Sequence, residues 1–114
     1  MSFDREKAQK IWQTVVLVPA GTVSSYGFIA DLAGLPGRAR MVGKVMQFAP
    51  QEMRVPWHRI LKSNGQIAFA AGSESARRQT ELLRLDGIEV INNRVKLKRY
   101  RWQPDLGELL KMEF

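Results

Sequence analysis

The run Val55-Pro56-Trp57-His58-Arg59-Ile60 sets an indole, an imidazole and a guanidinium on three consecutive positions behind a proline. His58, the only histidine of the chain, can exchange a proton near neutral pH. Arg59 is a permanent cation with a planar fork of donors. Trp57 offers a flat apolar face and one N–H donor but no nucleophilic lone pair; apart from its neighbours it reads as a core residue. A histidine can activate a nucleophile held beside it. Cysteine is absent from the 114 residues, however, which removes a thiolate nucleophile, a thiolate metal site and any disulfide together. One histidine cannot build a His-rich metal site either. The pattern calls for no metal and no cofactor.

A second concentration of chemistry lies at residues 38–48. Met41, Val42, Val45 and Met46 recur at helical spacing and turn inward, leaving Arg40 and Lys44 outward, with Arg38 just before them. Ala39 and Gly43 keep that outer face small. Eighteen Lys and Arg against eleven Asp and Glu give a net charge of +7, a field that draws polyanions. Charge alone fits a merely soluble basic surface equally well. The run Arg94, Lys96, Lys98, Arg99 and Arg101 likewise suits either phosphate attraction or a solvated face.

Around these groups the periodicity predicts mostly helices. Ala8, Ile11, Trp12, Val15 and Val16 mark a helix over residues 4–18, closed by Pro19 and Gly21. After an extended piece at 22–24, Ser24 or Ser25 caps a helix to about residue 33, with Phe28, Ile29 and Leu32 inward and Tyr26 beside the cap. The break Gly34-Leu35-Pro36-Gly37 separates it from the helix at 38–48, a helix-turn-helix pattern. An irregular loop follows to Pro56, which forces Val55 toward an extended conformation. Residues 59–62 and 66–69 around Asn64-Gly65 predict one hairpin. A helix capped by Ser73 spans 74–85 and ends at Asp86-Gly87. Residues 88–91 and 95–97, joined by Asn92-Asn93-Arg94, predict a second hairpin as a candidate wing; the tail from Trp102 is unassigned. With no repeat or linker in sight, the expectation is one domain over 1–114: mainly α with short β-hairpins, a winged helix-turn-helix-like fold. No apolar run approaches the ~18 residues of a membrane span. The first twelve residues, with Asp4 and Glu6, lack the apolar centre of a secretory signal, so a cytoplasmic location is expected.

Three stretches taken together carry a resemblance: Pro56-Trp57-His58-Arg59, Gly21-Thr22-Val23-Ser24-Ser25-Tyr26 and Ala39-Arg40-Met41-Val42-Gly43. In this order and spacing they resemble the C-terminal domain of the O6-alkylguanine-DNA alkyltransferases, over roughly residues 5–91. Trp57 stands where those enzymes keep the cysteine that accepts the alkyl group, the mark of the alkyltransferase-like proteins. The resemblance implies binding to double-stranded DNA containing O6-alkylguanine through the minor groove, by a monomer, without alkyl transfer. It makes Arg40 the finger that enters the duplex and Tyr26 the residue that helps rotate the nucleotide outward. Arg38, the near alternative for the finger, would meet phosphate, Lys44 would be a further DNA-binding residue, and Gly43 would let the helix into a narrow groove. Tyr26, Val55, Pro56, Trp57, Ala70 and Ala71 would line the lesion pocket. His58, Arg59 and Asp86 would persist as a structural remnant of the active site. It further implies hand-over to nucleotide excision repair proteins.

Some positions depart from the enzyme pattern: Ala49 replaces a hinge asparagine, Ala70 a tyrosine that contacts the O6 edge, and Ala71 a serine. Smaller side chains imply a roomier pocket open to large adducts. Two alternatives stand beside this reading. One is a residual alkyl-transfer or hydrolytic enzyme. The other is a winged-helix transcription regulator selecting one DNA sequence, for which neither a dimer-forming helix nor a ligand domain is evident.

Overall fold

Helix α1 (Arg5–Val16) starts where the Asp4 carboxylate accepts from the Lys7 backbone N–H at 3.1 Å, and it buries Ala8, Ile11, Trp12 and Val15 along one stripe. The computed structural model describes residues 4–112. Val16, expected in that stripe, is exposed. Thr14 is buried instead, its hydroxyl donating to the Lys10 carbonyl at 2.8 Å, so a polar group enters the core without an unmet hydrogen bond.

Ser24–Ser25 forms β1, and Ser25 caps α2 (Tyr26–Leu32) by accepting from the Phe28 N–H at 3.1 Å. Helix α3 (Ala39–Met46) follows the predicted break. Helices α1, α2 and α3 pack on one another, and the Trp12 indole N–H donates to the Val45 carbonyl at 2.8 Å, tying α1 to α3 inside the core. The inner face of α2 is Ile29 and Ala30, joined by Ala33. Phe28, predicted inward, is exposed on the rim of a surface groove shared with Leu32, Trp102, Pro104 and Leu109.

Strand β2 (Ile60–Leu61) pairs with β1 in parallel, Ser24 opposite Ile60. Because successive strand residues face opposite ways, Ile60 joins the core under α1–α3, while Leu61 joins a second core with Val23, Ile67, Ala76, Leu83, Ile88, Val90 and Val95. This two-strand seam hinges the two cores together. The pairing corrects the first predicted hairpin. Its Asn64-Gly65 turn does close, Lys62 N–H reaching the Gln66 carbonyl at 2.9 Å, but Gln66 bridges antiparallel to Arg94 rather than running back along β2. Gly65 has φ 88°, and a Cβ there would collide with the Val95 carbonyl, so only glycine fits this crossing.

Helix α4 (Glu74–Leu85) is capped by Ser73 at its start, and Gly87 follows its end at φ 83°, as the sequence predicts. The second turn is tighter than expected. Asn92 and Asn93 both take positive φ, 52° and 63°, and Ile91 and Arg94 exchange both backbone hydrogen bonds. That is a two-residue hairpin turn in which Arg94 belongs to the strand side. Leu97, expected in a strand, opens α5 (Leu97–Tyr100). The chain then returns to β1: Val23 N–H donates to the Tyr100 carbonyl, Trp102 N–H to the Val23 carbonyl, and Trp102 is buried in the first core. Helix α6 (Leu106–Leu110) ends the described chain with a capping box of Asp105 and Glu108. Among the described residues no helix is long and apolar enough to cross a membrane.

Candidate nucleic-acid interface

The segment leading into β2 is shaped by backbone before side chains act. Arg54 takes a left-handed φ of 48°. Pro56, at φ −78° and ψ 66°, is the centre of an inverse γ-turn closed by the Trp57 N–H on the Val55 carbonyl at 2.8 Å. Trp57–Arg59 then makes one 3₁₀ turn that delivers its three side chains in different directions.

Three anchors hold that turn. The Arg59 guanidinium donates from Nε to Asp86 Oδ2 at 2.8 Å, from Nη2 to Oδ1 at 3.4 Å and from Nη1 to the Val18 carbonyl at 2.9 Å. His58 Nε2 lies 2.9 Å from the same Asp86 Oδ2. The Gln79 amide, fully buried on α4, donates to the carbonyls of His58 at 2.9 Å and Ile60 at 3.1 Å. The turn is thus fixed to the end of α1, the interior of α4 and the end of α4.

Electrostatics settles the proton. Burial pushes the Asp86 carboxyl up, but the hydrogen bonds from Arg59 and His58 outweigh it and hold the pKa below the ordinary value. Burial likewise lowers the pKa of His58, more than the Asp86 contact raises it. At neutral pH the pair is therefore a neutral imidazole and a carboxylate. A carboxylate only accepts, so His58 carries its proton on Nε2 and donates it to Asp86.

Trp57 is half-buried. Its ring meets His58 edge-on, with centroids 6.2 Å apart and an interplanar angle of 87°, and meets Phe69 at 6.4 Å and 79°. A cleft of about 560 Å³ opens against the indole, walled by Glu74, Ser75, Arg77, Arg78 and Glu81 of α4. Of the residues expected beside it, Tyr26 and Val55 pack on the first core, Pro56 adjoins the indole in the chain, and Ala70 and Ala71 are exposed next to Phe69. The α4 wall was not foreseen.

Tyr26 opens α2 and lays its ring against α3 at Gly43, 3.7 Å from where a Cβ would stand. Burial raises its pKa, keeping the hydroxyl a neutral donor. Arg38, Arg40, Gly43 and Lys44 are all exposed, and Arg38, Arg40 and Lys44 rim a groove of about 770 Å³ floored by Met41, Val45 and Phe48. Among the described residues none of these three cations forms an ion pair, and no hydrogen bond or ring contact joins Arg40 to Trp57.

Gln79, Phe69 and Asn93 went unassigned by sequence. Gln79 does carry a signal, an amide on the buried face of α4 between Ala76 and Leu83. Phe69 and Asn93, whose amide donates to the Phe69 carbonyl at 2.9 Å, meet only through the tertiary fold.

The sequence profile of the DNA-binding domain of 6-O-methylguanine DNA methyltransferase matches residues 6–88. The chain is 38% identical over 95 residues to the DNA base-flipping protein of Escherichia coli, covering 82% of this chain and 72% of that one. It is 36% identical over 100 residues to alkyltransferase-like protein 1 of Schizosaccharomyces pombe, covering 83% and 93%. The fold is similar to that of the S. pombe protein in complex with damaged DNA containing O6-carboxymethylguanine, with a TM-score of 0.80, 34% identity, and 90% of this chain and all of that one covered. It is also similar to Mycobacterium tuberculosis OGT in complex with DNA, with a TM-score of 0.61 and 30% identity, over 89% of this chain and 54% of that one.

Proposed function

The chain belongs to the family of the 6-O-methylguanine DNA methyltransferase DNA-binding domain, as an alkyltransferase-like member, and on that premise we propose that it binds O6-alkylguanine in duplex DNA and leaves the alkyl group in place. One observation carries the reading. The turn behind Pro56 is built and braced, yet it presents an indole, and the chain holds no cysteine. Alkyl transfer requires a thiolate or its equivalent at that point. An indole supplies apolar surface and a hydrogen-bond donor, which serve binding only.

In this reading the nucleotide leaves the stack, at a cost of a few kcal/mol, and lodges beside Trp57 against Tyr26, Val55, Pro56, Ala70 and Ala71. Arg40 fills the gap from the minor groove, its guanidinium able to stack and to bond the orphaned base. That Arg40 and Trp57 share no contact suits the task, since the base must travel from one to the other. Arg38 and Lys44 hold phosphates, and the small Gly43 allows close approach. Sequence preference is poor because the minor-groove code is degenerate. The small, exposed Ala70 and Ala71 leave room for adducts larger than methyl, each further buried CH₂ adding ~0.8 kcal/mol until the space is full. The bound monomer marks the lesion for nucleotide excision repair. His58, Arg59 and Asp86 act as scaffold.

The test compares binding to duplexes identical but for one O6-alkylguanine, in several sequence contexts, with mass spectrometry of the recovered DNA. Lesion-dependent binding in every context with the adduct intact is expected. Loss of the alkyl group from DNA would establish an enzyme, and selection of one undamaged sequence would establish a regulator.

A further inference from the structure

Phe69 is a large apolar side chain left 39% exposed beside Trp57, in a loop whose neighbours Ala68, Ala70 and Ala71 are small and exposed. Its ring stands at 79° to that of Trp57, so the two aromatic walls meet nearly at a right angle. The loop is not free to carry Phe69 elsewhere. Asn93 donates its side-chain amide to the Phe69 carbonyl at 2.9 Å, and the Ile67 N–H donates to the Asn93 carbonyl at 2.9 Å. Asn93 is itself fixed in the left-handed turn of the second hairpin. The alanines on either side leave the corner open, where larger side chains would fill it.

We infer that Phe69 is a specificity-determining residue: with Trp57 it forms an aromatic corner that favours O6 substituents bearing an aromatic ring over saturated substituents of equal size. This inference rests on the lesion-binding reading above. A planar ring entering the corner lies parallel to one wall and meets the other edge-on, the two geometries aromatic quadrupoles favour. A saturated ring of the same bulk buries similar area but has no quadrupole to offer. Each such contact is worth about three- to tenfold in affinity beyond area burial.

The experiment measures dissociation constants for duplexes carrying O6-methylguanine, O6-benzylguanine or O6-(cyclohexylmethyl)guanine, and for the unmodified duplex. The proteins are the natural chain and Phe69→Leu, with thermal melts to show that both are folded. Leucine keeps apolar bulk and loses the ring. With one such contact to each wall, the natural chain should bind the benzyl duplex about ten- to a hundredfold tighter than the cyclohexylmethyl duplex. Phe69→Leu should lower that ratio about three- to tenfold, the contact with Trp57 remaining. A ratio near one in the natural chain, or an unchanged ratio in Phe69→Leu, overturns the inference and leaves lesion binding standing. Failure of the natural chain to distinguish any modified duplex from the unmodified one overturns the reading beneath it, and this inference with it.

Discussion

The turn at Trp57–Arg59 and the outer face of α3 both carry arginine, and they use it in opposite ways. At the turn, Arg59 points its donors at Asp86 and the Val18 carbonyl, and His58 donates to the same carboxylate. On α3, Arg38, Arg40 and Lys44 stand in solvent with no ion pair among the described residues. Polar groups that satisfy one another hold a shape, whereas donors left unmet in a basic field are available to something outside the molecule. On the proposed reading this difference makes the first region scaffold and the second a binding face, although the first holds the residues that look catalytic.

Arg40→Ala should break the comparison most visibly. Loss of an arginine that fills the gap behind an extruded base should weaken lesion binding about 100-fold, the scale of an interface hot spot. The melting temperature should move by no more than about 2 °C, because an exposed residue with no ion pair contributes little to stability. Fluorescence anisotropy with a lesion duplex, beside a thermal melt, gives both numbers. Unchanged lesion affinity would move the finger role to Arg38.

The converse variant is Asp86→Asn. It removes the charge that Arg59 and His58 both face, leaving a largely buried guanidinium poorly compensated. Removing one partner of a fully buried pair costs about 3–5 kcal/mol; these side chains keep 12–17% exposure, so about 2 kcal/mol is expected. A drop of roughly 5–10 °C in melting temperature follows, with lesion affinity of the folded protein nearly kept. The pH dependence has a definite sign. Asp86 titrates lower in the folded chain, so its stabilisation is whole above the ordinary carboxylate value of about 3.9 and is lost as pH falls through the depressed one. His58 also titrates lower when folded, mainly from burial, so its contribution is whole above about 6.5 and declines below. Both make acid destabilising. Urea unfolding from pH 7 down to pH 3 should show the natural chain losing stability in two stages, and Asp86→Asn lacking the lower one. Equal stability of the two proteins at pH 7 would refute the structural assignment.

How much of this was readable beforehand follows the same division. The cap Ser73, the α2 cap narrowed to Ser24 or Ser25, the break before α3 and the glycine after α4 act over three or four residues, and the sequence shows them directly. The outward set on α3 follows from one helical period, and the site motif marks the turn. What local pattern could not show is pairing at a distance. Ile60 and Leu61 read as one arm of a hairpin, but their edge is taken by β1, some 36 residues away. Gln79 is marked by its place on the buried face of α4, but its two acceptors, the carbonyls of His58 and Ile60, lie about 20 residues away and only the fold brings them to it. The α4 wall of the cleft and the Phe69–Asn93 tie likewise exist only once both cores have closed.

The smallest expected effect comes from the substitution that looks most like a restoration. Trp57→Cys returns a thiol to the position behind Pro56, yet little or no alkyl transfer should follow. An unperturbed thiol of pKa about 8.5 is only a few per cent thiolate at neutral pH. A cationic neighbour would raise that fraction, but His58 is held neutral by burial; with Nε2 donating to Asp86 its Nδ1 offers a base, not a positive charge. The guanidinium of Arg59 is engaged by Asp86 and Val18. Ala70 and Ala71 supply no hydroxyl to steady a departing guanine at O6. DNA labelled on the alkyl group, incubated with the folded variant, should therefore keep its label while still being bound. Stoichiometric transfer to the new cysteine would show that the braced turn remains catalytic machinery, and the division between scaffold and binding face would fail at its scaffold end.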